Sequence, residues 1–151
     1  MWRRLAAIAA LLVLTGLAAA CGGDDGGNRL SRAAYARRAD AICRTFRERT
    51  AKLGKVRTMA QLARVSDQSL PLFDDALHDL RKLKPPAAEQ ETADRWLAQL
   101  ERIRGDIKEL RDAARANDLA RVQGVVPHAD ADNKRSNKLA KQLGMRACGS
   151  G

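Results

Sequence analysis

From Ser31 onward the apolar residues recur every three or four positions, the period of a helix with one buried face, and no strand-like alternation persists. Ser31 is placed to cap a first helix running to about residues 52–54. Its Tyr35, Ala39, Ile42, Phe46, Thr50 and Leu53 form one narrow stripe, with Cys43 on the stripe's edge. A second segment, about 58–84, gathers Met59, Leu62, Val65, Ser66, Leu70, Phe73, Ala76, Leu77, Leu80 and Leu83 on one face. Pro71 interrupts this segment but the phase is kept, which predicts one kinked helix; a fresh start capped by Ser69 is the alternative.

Pro85-Pro86 closes the second helix and opens a third, with Glu89 and Glu91 in the first turn, where the helix dipole favours acids. The stripe Ala93, Trp96, Leu97, Leu100, Ile103, Ile107, Leu110 and Ala114 is broad and predicts the most buried of the helices. Asn117 and Asp118 supply a break and a cap. A fourth segment, about 118–143, aligns Leu119, Val122, Val125, Val126, Ala129, Ala140 and Leu143, with polar Asn133 and Ser136 at the centre of the seam. Gly144 suits the residue after a helix end, and Met145 can pack back. Together these elements predict an all-α protein, an antiparallel up-down four-helix bundle over residues 31–151. In an idealised bundle the last helix ends near the start of the first, ~18 Å along the axis from Cys43.

The first 30 residues have a different pattern. Met1-Trp2-Arg3-Arg4 is basic, and Leu5 to Ala20 is an uncharged run of 16 residues. That run is shorter than the ~20 residues of a membrane-spanning helix and fits a signal peptide covering residues 1–20. Leu17-Ala18-Ala19-Ala20-Cys21 resembles the lipobox of bacterial lipoproteins. The resemblance implies that the Cys21 thiol receives a diacylglycerol and that the chain is cut just before it. Ala18 stands where that family usually has Leu, so ordinary secretory cleavage after Ala20, or an uncleaved anchor, remains the alternative. Residues 21–30, with Gly22-Gly23-Asp24-Asp25-Gly26-Gly27, read as a lipidated cysteine followed by a flexible tether.

With Cys21 so assigned, Cys43 and Cys148 remain. In an exported chain an even pair is expected to be oxidised, so a Cys43–Cys148 disulfide follows from compartment and count. The expected bond would fasten the C-terminal tail onto the first helix.

Charge sharpens this picture. The whole chain carries 28 Lys+Arg and 18 Asp+Glu, net +10. Residues 29–57 alone hold ten cations against Asp40 and Glu48. The first helix is therefore basic and amphipathic, which points to anionic lipid headgroups or acidic envelope polymers, with Arg37, Arg38, Arg44 and Arg47 as the contact residues. A solvated helix face is the alternative. Export and the lack of a recognition motif argue against nucleic acid.

Little in the chain suggests catalysis. There is no Gly-x-Ser-x-Gly, no phosphate-cradling glycine loop and no spare thiol, so no catalytic residue is assigned. Asp74/His78 and His128/Asp132 have i,i+4 spacing, but both histidines fall off the apolar stripes, and no metal or other cofactor is expected. Asp130-Ala131-Asp132-Asn133 lacks the glycine and twelfth-position acid of a calcium loop. Asn133 and Ser136 admit two readings, a polar pocket between helices or a closely packed seam. Tyr35, Phe46, Phe73 and Trp96 read as core.

Ala39-Asp40-Ala41-Ile42-Cys43, with Leu143-Gly144 and Cys148-Gly149, resembles small, uncharacterised helical lipoproteins of actinomycete-type bacteria with a cysteine pair. That resemblance implies an architecture and an envelope location, and brings no catalytic residue. The expectation is a non-enzymatic lipoprotein on the extracytoplasmic face of the cell membrane, held by its lipid, with its protein partner unidentified. The alternative is a solute-binding lipoprotein with a pocket at Asn133 and Ser136.

Overall fold

The computed structural model describes residues 28–150; the expected signal peptide, the Cys21 lipidation site and most of the tether lie outside the described residues. Helices α1 (Arg32–Ala51), α2 (Met59–Lys82), α3 (Gln90–Arg115) and α4 (Leu119–Gln142) follow one another, with a single 3-10 turn, Ala87–Glu89, ahead of α3. The fold is all-helical, a four-helix bundle, with no strand among the described residues.

Local chemistry explains where the helices begin. The Ser31 hydroxyl accepts the Ala34 N–H, Thr58 accepts the Gln61 N–H and the Asp118 carboxylate accepts the Arg121 N–H. Gln61 also reaches back to accept the Arg57 N–H, a reciprocal arrangement close to a capping box. Before α3 no side chain caps; Pro86 and the 3-10 turn set the direction instead. Pro71 sits inside an uninterrupted α2, as the retained phase predicts.

Helices adjacent in sequence pack against each other: α1 on α2, α2 on α3 and α3 on α4, whereas α1 and α4 make no comparable contact. The α1/α2 register is marked by three links: Leu30 N–H to the Lys84 carbonyl, the edge-to-face pair Phe46–Phe73 with centroids 5.5 Å apart, and Arg49–Asp75 at 3.4 Å. The C-terminal end of α1 therefore lies beside the middle of α2, and the first turns of α2 extend past it. The core divides accordingly. Near the start of α1, Tyr35, Ala36, Ala39, Leu80, Ala93, Trp96, Ala140, Leu143 and Met145 form one cluster. Three alanines from α1, α3 and α4 (Ala39, Ala93 and Ala140) let the backbones close around Trp96 and Tyr35. Burial, with Asp94 and Glu89 nearby, pushes the Tyr35 phenol up to about 12, so it stays neutral. Farther along the bundle, Phe73, Leu77 and Ile103 form a second cluster, flanked by Phe46, Leu97, Leu100 and Ile107.

Two expectations for α4 fail. Leu119 and Val126, placed on the buried stripe, are 58% and 52% exposed. They belong to the half of α4 that lies toward the α3–α4 connection, beyond the part of the bundle that α1 covers. The buried line of α4 runs instead through Val125, Asp132, Ser136 and Ala140, and Pro127 sits within the helix. Expected at the seam, Asn133 is one step off this line and is exposed.

Candidate functional site: a cleft between the first and last helices

Because α1 and α4 touch only near the start of α1 and the end of α4, the bundle is open along the rest of that side, and the C-terminal tail runs through the gap. α4 ends beside the first turns of α1, where the Arg32 guanidinium donates to the Gln142 carbonyl at 2.6 Å. Gly144 turns the chain with φ +80°, and a β-carbon there would stand 3.8 Å from Ala36 Cβ. Met145 is 2% exposed and plugs the first core cluster. Asp40, buried on α1, then receives the tail: its carboxylate accepts the Arg146 N–H at 2.9 and 3.1 Å and the Cys148 N–H at 3.0 Å. One turn farther along α1, Cys148 is joined to Cys43 with a Cα–Cα distance of 5.4 Å. Arg47 completes the fastening by donating to the carbonyl and hydroxyl of Ser150.

The expected disulfide is thus present, although an idealised bundle would place the end of the last helix ~18 Å from Cys43. Since Gly144, two residues past the end of α4, stands against Ala36, the tail must climb only seven helical residues from there, ~10 Å. Four residues from Gly144 to Cys148 could span at most ~13 Å, so the bent tail reaches with little to spare. The tail also leans on α4: a β-carbon on Gly149 would come 2.9 Å from Lys141 Cγ and 3.4 Å from the Asn137 carbonyl oxygen. It therefore bridges α1 and α4 beyond the stretch where the two helices touch.

Past the tail the gap remains open as a cleft of about 140 Å³. Its floor is apolar, built from Phe46, Phe73, Leu77, Leu80, Leu100 and Ile103; Asn133, Ser136 and Asn137 form the α4 wall, with Arg47 and the disulfide on the opposite side. Ser136 is buried and accepts the Trp96 indole N–H at 3.2 Å, which fixes one polar group of the wall. Asn133 lies at the rim. Asn133 and Ser136 both line this cleft, but its bulk is apolar, and two aromatics expected as core, Phe46 and Phe73, line it as well. Only the tail's route, decided by Asp40, creates the fourth wall, and sequence periodicity gave no sign of that role.

The four arginines assigned to an anionic surface divide. Arg37, Arg38 and Arg44 are exposed and have no ion-pair partner among the described residues. Arg47 is engaged with Ser150 and so belongs partly to the tail clasp. His78 and His128 are both exposed, on α2 and α4. On the α3/α4 side, Asp106 has one carboxylate oxygen buried without a partner; burial first, then Asp132 and Glu109, holds its carboxyl above the usual range.

Comparison of the chain with protein-family models, with curated proteins and with solved structures returns no match in any of the three.

Proposed function

We propose that this chain is a lipid-anchored, extracytoplasmic and non-enzymatic binding module of the cell envelope. The observation that carries the binding part is the open α1/α4 cleft, a partly enclosed apolar space edged by an amide, a hydroxyl and a guanidinium. A cavity of about 150 Å³ accepts a benzene-sized ligand. The occupant is therefore a small apolar body, a ring or short alkyl chain, with one polar end directed at Asn133 and Arg47. The lipid-anchor part rests on Leu17–Cys21, on the Gly-rich segment after it and on an oxidised cysteine pair. No helix among the described residues is long and apolar enough to cross a membrane.

The cleft is tested by thermal shift with benzyl alcohol and 1-hexanol. Both are expected to raise Tm in the native chain, and to lose that effect when Ala76, which also lines the cleft, is changed to Leu and fills it (Ala76→Leu). An unchanged Tm for every small apolar compound overturns the binding role. Intact mass of the exported protein reads the anchor: a diacylglyceryl mass on Cys21 supports it, and an unmodified thiol rejects it.

A second reading is favoured by the unpaired cations on α1. Arg37, Arg38 and Arg44 begin the domain directly after the tether, where a bilayer carrying anionic headgroups would lie within reach. Binding to anionic over zwitterionic vesicles should weaken with salt and with Arg37, Arg38 and Arg44 changed to Gln. Salt-insensitive binding removes this contact.

A further inference from the structure

A separate cleft lies between α3 and α4, beside the pole at which the chain enters the bundle. Arg95, Ala98, Gln99 and Arg102 of α3 line it together with Arg135, Lys138, Leu139 and Gln142 of α4. Four cations and no carboxylate are among its lining residues. Arg135 is paired with Asp132 at 2.7 Å, while Arg95, Arg102 and Lys138 have no ion-pair partner among the described residues. Like charges gathered on facing helices repel, an arrangement a bundle gains nothing from unless an anion relieves it.

The second observation is Gln99. It is only 6% exposed, yet its Nε2 has no hydrogen-bond acceptor among the described residues. A buried amide donor left unpaired costs stability, and buried polar groups in folded proteins are normally satisfied. The terminal torsion of a glutamine is broad, so the amide can turn toward the cleft that it lines. Arginine forks and a lysine point charge match the oxygens of a phosphate group, and an amide N–H adds a directed bond.

We propose that this cleft binds a phosphate-bearing anion, with Gln99 Nε2 donating to a phosphate oxygen and Arg95, Arg102 and Lys138 neutralising its charge. The chemistry is shared by free phosphate and by the phosphodiester of an anionic lipid. Position makes the lipid source reachable: Gln142, at the cleft's edge, takes a hydrogen bond from Arg32 at the start of α1. The proposal is independent of the α1/α4 cleft and of the arginines on α1.

The test follows the Gln99 side-chain amide signals by NMR in the full chain, held in phosphatidylcholine nanodiscs. Inorganic phosphate is titrated at constant ionic strength against chloride, and a parallel sample uses phosphatidylglycerol nanodiscs without phosphate. A saturable shift of the Gln99 amide on adding phosphate supports the site with a free anion. A shift only on changing to phosphatidylglycerol supports it with a headgroup. The double variant Arg102→Gln/Lys138→Gln should then weaken the response about tenfold, two charge-assisted bonds being lost. Arg38→Gln/Arg44→Gln should leave it unchanged. Unmoved Gln99 amide signals in both series overturn the proposal, even if the protein still favours anionic membranes. So does a response that the Arg38/Arg44 variant abolishes.

Discussion

Asp40 receives the Cys148 backbone N–H three residues before the cysteine to which Cys148 is bonded. One buried carboxylate thus aligns the tail that the disulfide then locks. Removing it strands the N–H groups of Arg146 and Cys148, so Asp40→Ala should cost about 2 kcal/mol, the range for hydrogen bonds to a charged group. Urea unfolding of the oxidised protein reads this, and Asp40→Asn, which keeps an acceptor, should recover part of it. A cost within error of zero would mean that the clasp contributes nothing beyond the disulfide.

Breaking the disulfide acts through the unfolded chain. Its ends are 105 residues apart, and a loop of that length corresponds to about 4–5 kcal/mol in the chain-entropy account. The Cys43→Ala/Cys148→Ala variant should show that loss in urea unfolding, with the near-ultraviolet signal of Trp96 retained in the folded state.

Ser136→Ala removes the acceptor for the indole N–H of Trp96, which is 1% exposed. An unpaired buried donor should cost about 1–2 kcal/mol. A shift in Trp96 fluorescence should accompany the loss, since no other partner is recorded for its N–H among the described residues. Unchanged stability together with unchanged fluorescence would show that the bond is not formed in solution.

Gly149→Ala should destabilise by about 1–3 kcal/mol through overpacking, because the new methyl meets Lys141 Cγ and two backbone carbonyl oxygens. Lys141 can swing aside; the backbone of α4 and of Met145 cannot do so at low cost. The predicted signature is faster hydrogen exchange at the Arg146 and Cys148 amides.

Asp106 gives a pH dependence of opposite sign to most carboxylates in folded proteins. Its folded pKa is raised, chiefly by burial, so the folded state binds its proton more tightly than the unfolded chain does. The ionised form therefore destabilises the fold above that pKa, and the penalty disappears as pH falls through the carboxylate range. Asp106→Asn should raise Tm at pH 7, with the gain over wild type shrinking on acidification. Asp74 behaves conversely. Its hydrogen bond from Arg104 holds its carboxyl below the usual range, and the stability it contributes is lost as pH falls. Screening by solvent keeps that contribution small, since the pair is partly exposed.

Elements and caps were legible because they depend on neighbours in the chain. Ser31 and Asp118, the expected caps, act within three residues of themselves, as does Thr58, read only as the start of the second segment, and the 3.6-residue stripes of α1, α2 and α3 survive in the observed core. The cysteine pair was legible by counting once the lipobox resemblance set Cys21 apart. Leu119 and Val126 misled because periodicity marks a face able to be buried, and only the shortness of α1 leaves that end of the bundle partly uncovered.

Sequence alone determined four helices, their approximate starts and the basic α1, since each follows from local spacing or composition; the pairing of Cys43 with Cys148 followed once the lipobox resemblance set Cys21 apart. Tertiary structure decided what the polar exceptions do. Asp40, which the sequence offers only as a charge and as part of the Ala39–Cys43 stretch, becomes the acceptor that seats the tail 106 and 108 residues away. Gln99 becomes a buried donor without an acceptor only once α4 covers it. Such roles arise because buried hydrogen-bonding groups find partners across space, and α1 and α4 leave between them a gap that periodicity within each helix does not encode.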